Sequence, residues 1–357
     1  MSSIDHFDYI IVGQGVAGSA LAVQLLQKGR KILVIDQPGE NRASRIAAGL
    51  FNPITGKKMS KTWMADTIFP YLHGFYSHVE QLTGERFFYP MPVYRPFLSI
   101  EEQNEWMGRS AEPSLRPYID QVFVQPHLAG AHDPFGGLLL RQGGYIDTGR
   151  YMEAVKQWIR RDGTYEETVF HEEEVVPTED GVRYGPWHAR YLVLCQGHRR
   201  GRWFDWLPIR PLKGETLIVR SALGNSCILN RGVYVVPGAQ PGEFKVGATY
   251  DFQQGAEGVT TQARVELEEK LSAVLAAGFE TVAQEWGVRP TVPDRRPILG
   301  SHPEARNIVV FNGMGTKGIS LAPYFSEILI RSLENDEGLN NDVDVNRYKS
   351  VYWKARK

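Results

Sequence analysis

The sequence predicts an α/β protein of two domains, each assembled from separated chain segments: one built on a doubly wound parallel sheet, the other an antiparallel, β-rich α+β unit. Three observations carry this. Residues 8–36 run strand, helix, strand with short links, the pattern of a parallel βαβ unit. An apolar strand and a helical pattern return within 143–205, helix first, and within 290–335, strand first. Between them, 85–140 and 206–285 read as short strands broken by turn residues.

The totals bound the class. A chain of 357 residues has the length of two domains, or of one with large insertions. Its 42% apolar and 23% charged residues are ordinary for a globular protein. A net charge of −1 predicts no strong pull on nucleic acid or anionic lipid. No apolar stretch reaches the roughly 18–20 residues of a membrane helix. The run DYIIV comes too early, behind polar MSSIDHF, to be a signal peptide. Cys195 and Cys227 make neither a disulfide framework nor a metal cluster, so no metal and a cytoplasmic, reducing location are expected. Eight Trp, 16 Tyr and 16 Phe are read as core filling rather than as a pocket lining.

Each element follows from local pattern. Residues 8–12 are a buried strand, 16–29 a helix and 31–36 (KILVID) a second strand. Residues 62–83 have helical spacing in Trp63, Ile68, Leu72, Phe75, Val79 and Leu82. FFYPMPVYRPFL (87–98) carries prolines and reads as strand at a sheet edge. A polar helix spans 99–110, and 111–135 is irregular. Asp147 or Thr148 caps a helix with Tyr151, Ala154, Val155, Trp158 and Ile159 inward, and Gly163 stops it. RYLVLC (190–195) is a strand. Residues 214–220, 226–237 and 243–250 form an antiparallel meander, and 260–276 a helix. A strand at 307–312 leads through NGMGTKGISLAP into a last helix.

The loop 13–18 (GQGVAG) has a chemistry. It follows a strand, opens a helix, and has Asp36 at the end of the next strand. Gly13 permits the tight turn, Gly15 lets backbone approach a pyrophosphate, and Gly18 lets the helix pack on the strand. Val16 and Ala17 place free amides at the helix start, where the dipole also favours an anion. Asp36 is placed to accept hydrogen bonds from an adenosine ribose and would repel a phosphate there, which argues against NADP. The loop alone does not separate NAD from FAD.

Further segments resemble the D-amino-acid oxidase superfamily of flavoproteins, in its glycine oxidase and sarcosine oxidase branch. They are ASRIAAGLFNP (43–53), GGYIDTGRYMEAV (143–155), YLVLCQG (191–197), PLKGETLIV (211–219), YVVPGAQPGEFKVGATYD (234–251), GVRPTVPDRRPILG (287–300) and NGMGTKGISLAP (312–323). The resemblance runs nearly end to end. It implies a Rossmann-type FAD-binding domain (1–84, 141–205 and 286–357) and a β-rich substrate-binding domain (85–140 and 206–285) that roofs the flavin ring. Ser44, Arg45, Ala47, Ala48 and Gly49 match the segment beside the cofactor, and Gly197 the strand end near the dinucleotide. The late turn, with Gly313, Gly315, Thr316, Lys317 and Gly318, matches the one that brings a helix start to the pyrimidine end of the flavin. Backbone amides and a helix dipole there stabilise the charge of the reduced ring. Sarcosine oxidases tether flavin through a cysteine before the Pro-Asp pair. Here that segment reads EWGVRPTVPD, so non-covalent FAD is expected.

The resemblance implies an FAD-dependent oxidation of the C–N bond of an amino acid or secondary amine, by hydride transfer to flavin N5, with O2 as the expected acceptor. Arg289 matches the carboxylate-holding position, and an arginine fork suits two carboxylate oxygens. The plain alternative is an ion pair with Glu285 or Asp294. Tyr234 and Tyr250 are candidate hydroxyl donors whose ordinary fate is buried packing. The turn Met314–Lys317 departs from glycine oxidases, which carry an aromatic and an arginine there. Lys317 then stands in as a point charge for carboxylate, or for reduced oxygen. Lys57 and Lys58 read as solvated loop charges. Three alternatives remain: a dehydrogenase of a 2-hydroxy acid or amine serving a quinone or carrier, a relative acting on a modified tRNA base, and an inert flavin-binding protein. Neutral charge and the lack of a basic tract argue against the second.

Overall fold

The computed structural model describes residues 4–355 apart from 38, 40–42, 57, 200 and 253–256. The expectation at Lys57 lies outside the described residues. Two large sheets organise the chain. The first has five parallel strands in the spatial order Thr164–Glu166, Ile32–Ile35, Asp5–Val12, Trp187–Leu194 and Ala305–Asn312. Ile298–His302 pairs antiparallel with the last. A hairpin of Val175–Pro177 and Val182–Tyr184 continues the sheet beside the start of Trp187–Leu194. These strands are near-continuous apolar runs because both faces are covered. Along Asp5–Val12, Tyr9 and Ile11 face the helices Val16–Gln27, Thr148–Asp162 and Gly318–Asn335, while Ile10 and Val12 face the core around Val182 and Tyr184.

The second sheet has eight strands in the order Phe279–Thr291, Arg210–Ser221, Glu243–Gly247, Val233–Pro237, Ile228–Arg231, Val93–Pro96, Gly137–Leu140 and Ile119–Phe123. One neighbour pair, Ile228–Arg231 with Val93–Pro96, is parallel. One face of this sheet (Leu217, Val219, Val235, Val246) packs on Leu267 and Leu271 of the helix Thr261–Ser272. Side chains alternate across a strand. The opposite face therefore carries Glu285, Gly287 and Arg289 from Phe279–Thr291, Gly214 and Thr216 from Arg210–Ser221, and Gly247 and Tyr234 from the next two strands in register.

Several expectations need correction. The proline-rich stretch 87–98 is two strands, and only the first, Phe88–Pro90, has a single partner; Val93–Pro96 is not an edge strand but lies inside the large sheet between two partners. Its prolines sit at strand ends, where ladder donors are not lost, and Pro92 accepts from the Ile228 N–H at 2.9 Å. The helix expected from residue 62 begins at Ala65, leaving Trp63 outside it. The irregular 111–135 contains the strand Ile119–Phe123, bulged against its neighbour. Phe279–Thr291 is a long strand without clear alternation, held by pairing along the whole of Arg210–Ser221. It stays with the second sheet through Thr291, so the boundary expected at 286 falls within it.

Close backbone approach fixes the first helix. A Cβ at Gly18 would lie 1.9 Å from the Gly13 carbonyl oxygen, which cannot move without breaking the loop. Gly18→Ala is expected to destabilise by about 3 kcal/mol or more in urea unfolding. Gly74, exposed in the helix Ala65–Thr83, has nothing within 4 Å of an added Cβ, and Gly74→Ala is expected to gain about 0.5–1 kcal/mol.

Candidate active site

The loop 13–18 joins three strand ends. The Gly13 N–H donates to Ile35 O at 2.8 Å, and the Cys195 N–H to Val12 O at 2.8 Å. Gly13 has φ +96°, which a side chain rarely adopts. Asp36, buried at the end of the second strand, accepts from the Gln14 N–H at 2.9 Å and from the Tyr165 hydroxyl at 3.0 Å. Gly15 precedes the first helical residue, Val16, and gives it no side-chain cap. The first turn of Val16, Ala17 and Gly18 lacks intrahelical acceptors. The Val16 N–H reaches Ser44 Oγ at 3.1 Å, from the short helix Ala43–Ile46.

The segment after Ser44 is stitched to the chain before the helix Thr148–Asp162. The Thr148 hydroxyl donates to Ala47 O at 3.2 Å and Arg45 O at 3.4 Å, and the Ile146 N–H to Gly49 O at 3.1 Å. Ala48 is buried; the Arg45 side chain is exposed. A Cβ at Gly49 would lie 1.9 Å from Ile146 O, so this glycine has a packing reason.

The late turn arrives from the other end of the chain. Asn312 Nδ2 donates to Gly197 O, and the Gly313 N–H to Asn312 Oδ1, each at 2.8 Å. The Gly315 N–H donates to Pro290 O at 2.9 Å, tying the turn to the end of the Arg289 strand. Thr316 is exposed, and Lys317 precedes the helix Gly318–Asn335 without a side-chain cap. A Cβ at Gly318 would stand 3.7 Å from Val16 Cγ1. Further along, Gln24 Nε2 donates to Pro323 O and Ser326 Oγ, both at 2.6 Å. The two helices thus run side by side in one direction, with two uncapped, dipole-positive ends together.

The polar face of the second sheet closes on this point. Lys245 Nζ donates to Ile46 O at 2.9 Å and pairs with Glu285 at 2.9 Å. A Cβ at Gly287 would lie 3.0 Å from Ala43 Cα. On that face the Arg289 guanidinium lies over Gly214, with Nη1 donating to Thr249 O at 3.4 Å and Cζ 5.3 Å from the Tyr250 ring centre. The ion pairs weighed for Arg289 do not form: Glu285 holds Lys245, and Asp294 holds Arg347 at 2.9 Å. Among the described residues no carboxylate neutralises this guanidinium. Burial raises the Tyr234 hydroxyl above its ordinary range, partly offset by Arg289, so it stays protonated as a donor. Tyr250 is 65% exposed, beyond the end of the strand at Gly247, and shields Arg289 from outside rather than packing in the core.

Lys317 Nζ donates to Thr55 Oγ1 and Thr62 Oγ1, each at 3.3 Å. Burial, then Arg296 and Arg295, lower its pKa to about 8. Sequence reading missed Thr216 and Lys245, and weighed Glu285 only as a partner of Arg289. The period of two from Arg289 back to Glu285 was the available signal. It also missed Gly214, whose part depends on a neighbouring strand. Cys195 and Cys227 are both free and buried, and burial raises both thiols.

The sequence profile of the DAO family, FAD dependent oxidoreductase, matches residues 8–331, and the chain belongs to this family. It is 25% identical over 350 residues to the bifunctional protein ThiO/ThiG of Trichormus variabilis, covering 90% of this chain and 52% of that protein. It thus spans about half the length of the bifunctional relative. It is 25% identical over 353 residues to a glycine oxidase of Bacillus licheniformis, covering 91% of this chain and 92% of that one. In structure it is similar to glycine oxidase from Geobacillus kaustophilus, with a TM-score of 0.72, 21% identity and 94% and 96% of the two chains covered. Iminodiacetate oxidase from Chelativorans sp. gives 0.76 at 17% identity, over 95% and 98%. The glycine oxidase relatives support the glycine and sarcosine oxidase-like branch, and the fold is that of the FAD-dependent oxidases. The protein is an FAD-dependent oxidoreductase. The residues present fit the cofactor: two adjacent uncapped helix starts suit an extended anionic nucleotide, and Asp36 stands at the strand end beside them. Among the described residues no helix is long and apolar enough to cross a membrane.

Two outcomes are expected. In Gly214→Ala the new Cβ would fall 2.3 Å from Arg289 Nη1, so its KM for a carboxylate substrate is expected to rise at least tenfold, toward that of Arg289→Ala. Lys317 has a folded pKa of about 8 against an ordinary 10.5. Between those values the unfolded chain binds more protons, so this group makes stability rise with pH there. Lys317→Met is expected to raise the melting temperature more at pH 7 than at pH 10. An equal shift at both would show that the ammonium is not desolvated.

Proposed function

We propose that this protein oxidises the C–N bond of an amino acid or carboxylate-bearing secondary amine to an imine, with O2 as electron acceptor. The carrying observation is Arg289: a guanidinium without a carboxylate partner, beside a protonated Tyr234, on the sheet face that abuts the Ser44 turn and the helix starts. FAD, when bound, supplies the hydride acceptor. Arg289 takes the substrate carboxylate with its planar fork, and Tyr234 donates a hydrogen bond that fixes its rotation. Holding the amine carbon in one pose is most of what the protein must do. The amides of Gly15, Ala17 and Gly18 would hold the cofactor diphosphate and Asp36 its ribose. Those of Thr316 and Gly318 would meet the pyrimidine end, the Gly315 and Lys317 amides being held by Pro290 O and Met314 O, and Ser44, Arg45, Ala47, Ala48, Gly49, Gly197 and Gly313 would line its path. The FAD is held without a covalent bond, in a domain of residues 1–84, 141–205 and 292–357 roofed by 85–140 and 206–291, and the protein works in the cytoplasm. The names of the glycine oxidase and iminodiacetate oxidase relatives support an amine donor.

Purified protein reconstituted with FAD is expected to turn yellow and release all of it on acid precipitation. Anaerobic mixing with amino acids, N-methyl amines and 2-hydroxy acids is expected to bleach the flavin with a carboxylate-bearing amine. Air should then restore the colour with stoichiometric peroxide. Bleaching by 2-hydroxy acids alone, or recovery only with a quinone, would replace this reading by that of a dehydrogenase.

A further inference from the structure

Just beyond the end of the Arg289 strand the charges do not balance. The turn after the Arg289 strand reads VPDRRP, with one acid and two arginines. Arg295 sits in the left-handed region at φ +57°, its N–H donating to Val292 O at 2.9 Å. Asp294 pairs with neither of the two arginine side chains beside it but with other groups. It accepts from the Arg296 backbone N–H at 3.0 Å, Arg347 Nε at 2.9 Å and the Tyr348 hydroxyl at 2.8 Å.

Arg296 instead lies over Trp63, with Cζ 4.0 Å from the ring centre. Trp63 is itself stacked on Phe325 of the late helix, 5.5 Å between centres and 5° between planes. A guanidinium held flat on an indole keeps its N–H edge for an anion in the same plane. Lys317 meets two hydroxyls, Thr55 and Thr62, and no carboxylate. The acid near that hairpin, Asp66, is taken by Lys61 at 2.7 Å and by the Tyr118 hydroxyl. Among the described residues none of Arg295, Arg296 and Lys317 joins an ion pair. Both arginines destabilise the Lys317 charge. Three like charges gathered around two hydroxyls and a stacked indole, next to the turn that Pro290 anchors, lack a counter-charge.

We propose that Lys317, Arg296 and Arg295 receive a second carboxylate of the substrate, so that the preferred substrate is an amine carrying two carboxylates, one at Arg289 and one at this cluster. This rests on the function proposed above and narrows its substrate class. Arg296 supplies the planar edge, Lys317 and the two hydroxyls supply point donors, and Arg295 adds field at the rim. No group is transferred there; the cluster positions.

The holoenzyme tests it by two independent readouts. Calorimetry with glutarate and pentanoate, which carry no amine to oxidise, is expected to show glutarate at least tenfold tighter, and Arg296→Gln to abolish the difference. In turnover, Arg296→Gln is expected to raise KM for amino dicarboxylates at least tenfold and to leave KM for monocarboxylic amines within about twofold, at unchanged FAD content. Arg295→Gln, at an exposed position, is expected to do the same more weakly and serves if Arg296→Gln misfolds. Equal binding of glutarate and pentanoate, or equal KM changes for both amine classes, would overturn the proposal. If no amine of either class bleaches the flavin, the proposed function fails instead, and the glutarate measurement still decides on the cluster.

Discussion

Much of the molecule depends on two helices, at opposite ends of the sequence, lying parallel with their starts together. Packing fixes this arrangement rather than charge. Gly18 lets the first helix touch the loop before it, and a side chain at Gly318 would meet Val16. Gln24, buried between the helices, satisfies Pro323 O and Ser326 Oγ. Two like dipole ends repel; neither N-cap residue supplies a side-chain acceptor, and Ser44 Oγ meets the Val16 N–H alone. The arrangement stores positive potential at one place, which suits an elongated anion such as the family's cofactor.

The second sheet uses one pattern for two ends. Alternation gives it an apolar face for the helix Thr261–Ser272 and a polar face for the site. Lys245 joins that polar face to the Ala43–Ile46 turn while keeping Glu285 away from Arg289. A carboxylate one strand turn closer would have neutralised the guanidinium. Gly214 removes the side chain that would have displaced it. The Arg289 charge is thus left free by what its neighbours do.

How much was legible varies by element. The parallel strands were readable because burial on both faces leaves unbroken apolar runs such as DYIIV and YLVLC. The GQGVAG loop was readable because each glycine answers a local steric demand. Phe279–Thr291 was not readable as a strand, since its half-buried pattern is set by the partner it pairs with. Pro90, Pro92 and Pro96 pointed to an edge, but their missing donors fall where no ladder bond is needed. Trp63 fitted a helical stripe, yet it packs on Phe325 across a tertiary contact.

By itself the sequence determined the βαβ start and the glycine turn that opens its helix, which are matters of neighbours along the chain: periodicity, turn chemistry and a carboxylate at a strand end. Arg289 and Lys317 were singled out by the family resemblance of the segments that carry them. Only the tertiary structure decided which charges stay unpaired. Whether Arg289 meets Glu285 or Asp294, and whether Lys317 stands in water or beside Arg295 and Arg296, depends on side chains brought together from distant segments. Coulomb interactions act through space and are quenched by any acid within a few ångströms, and no local pattern records where that acid will be.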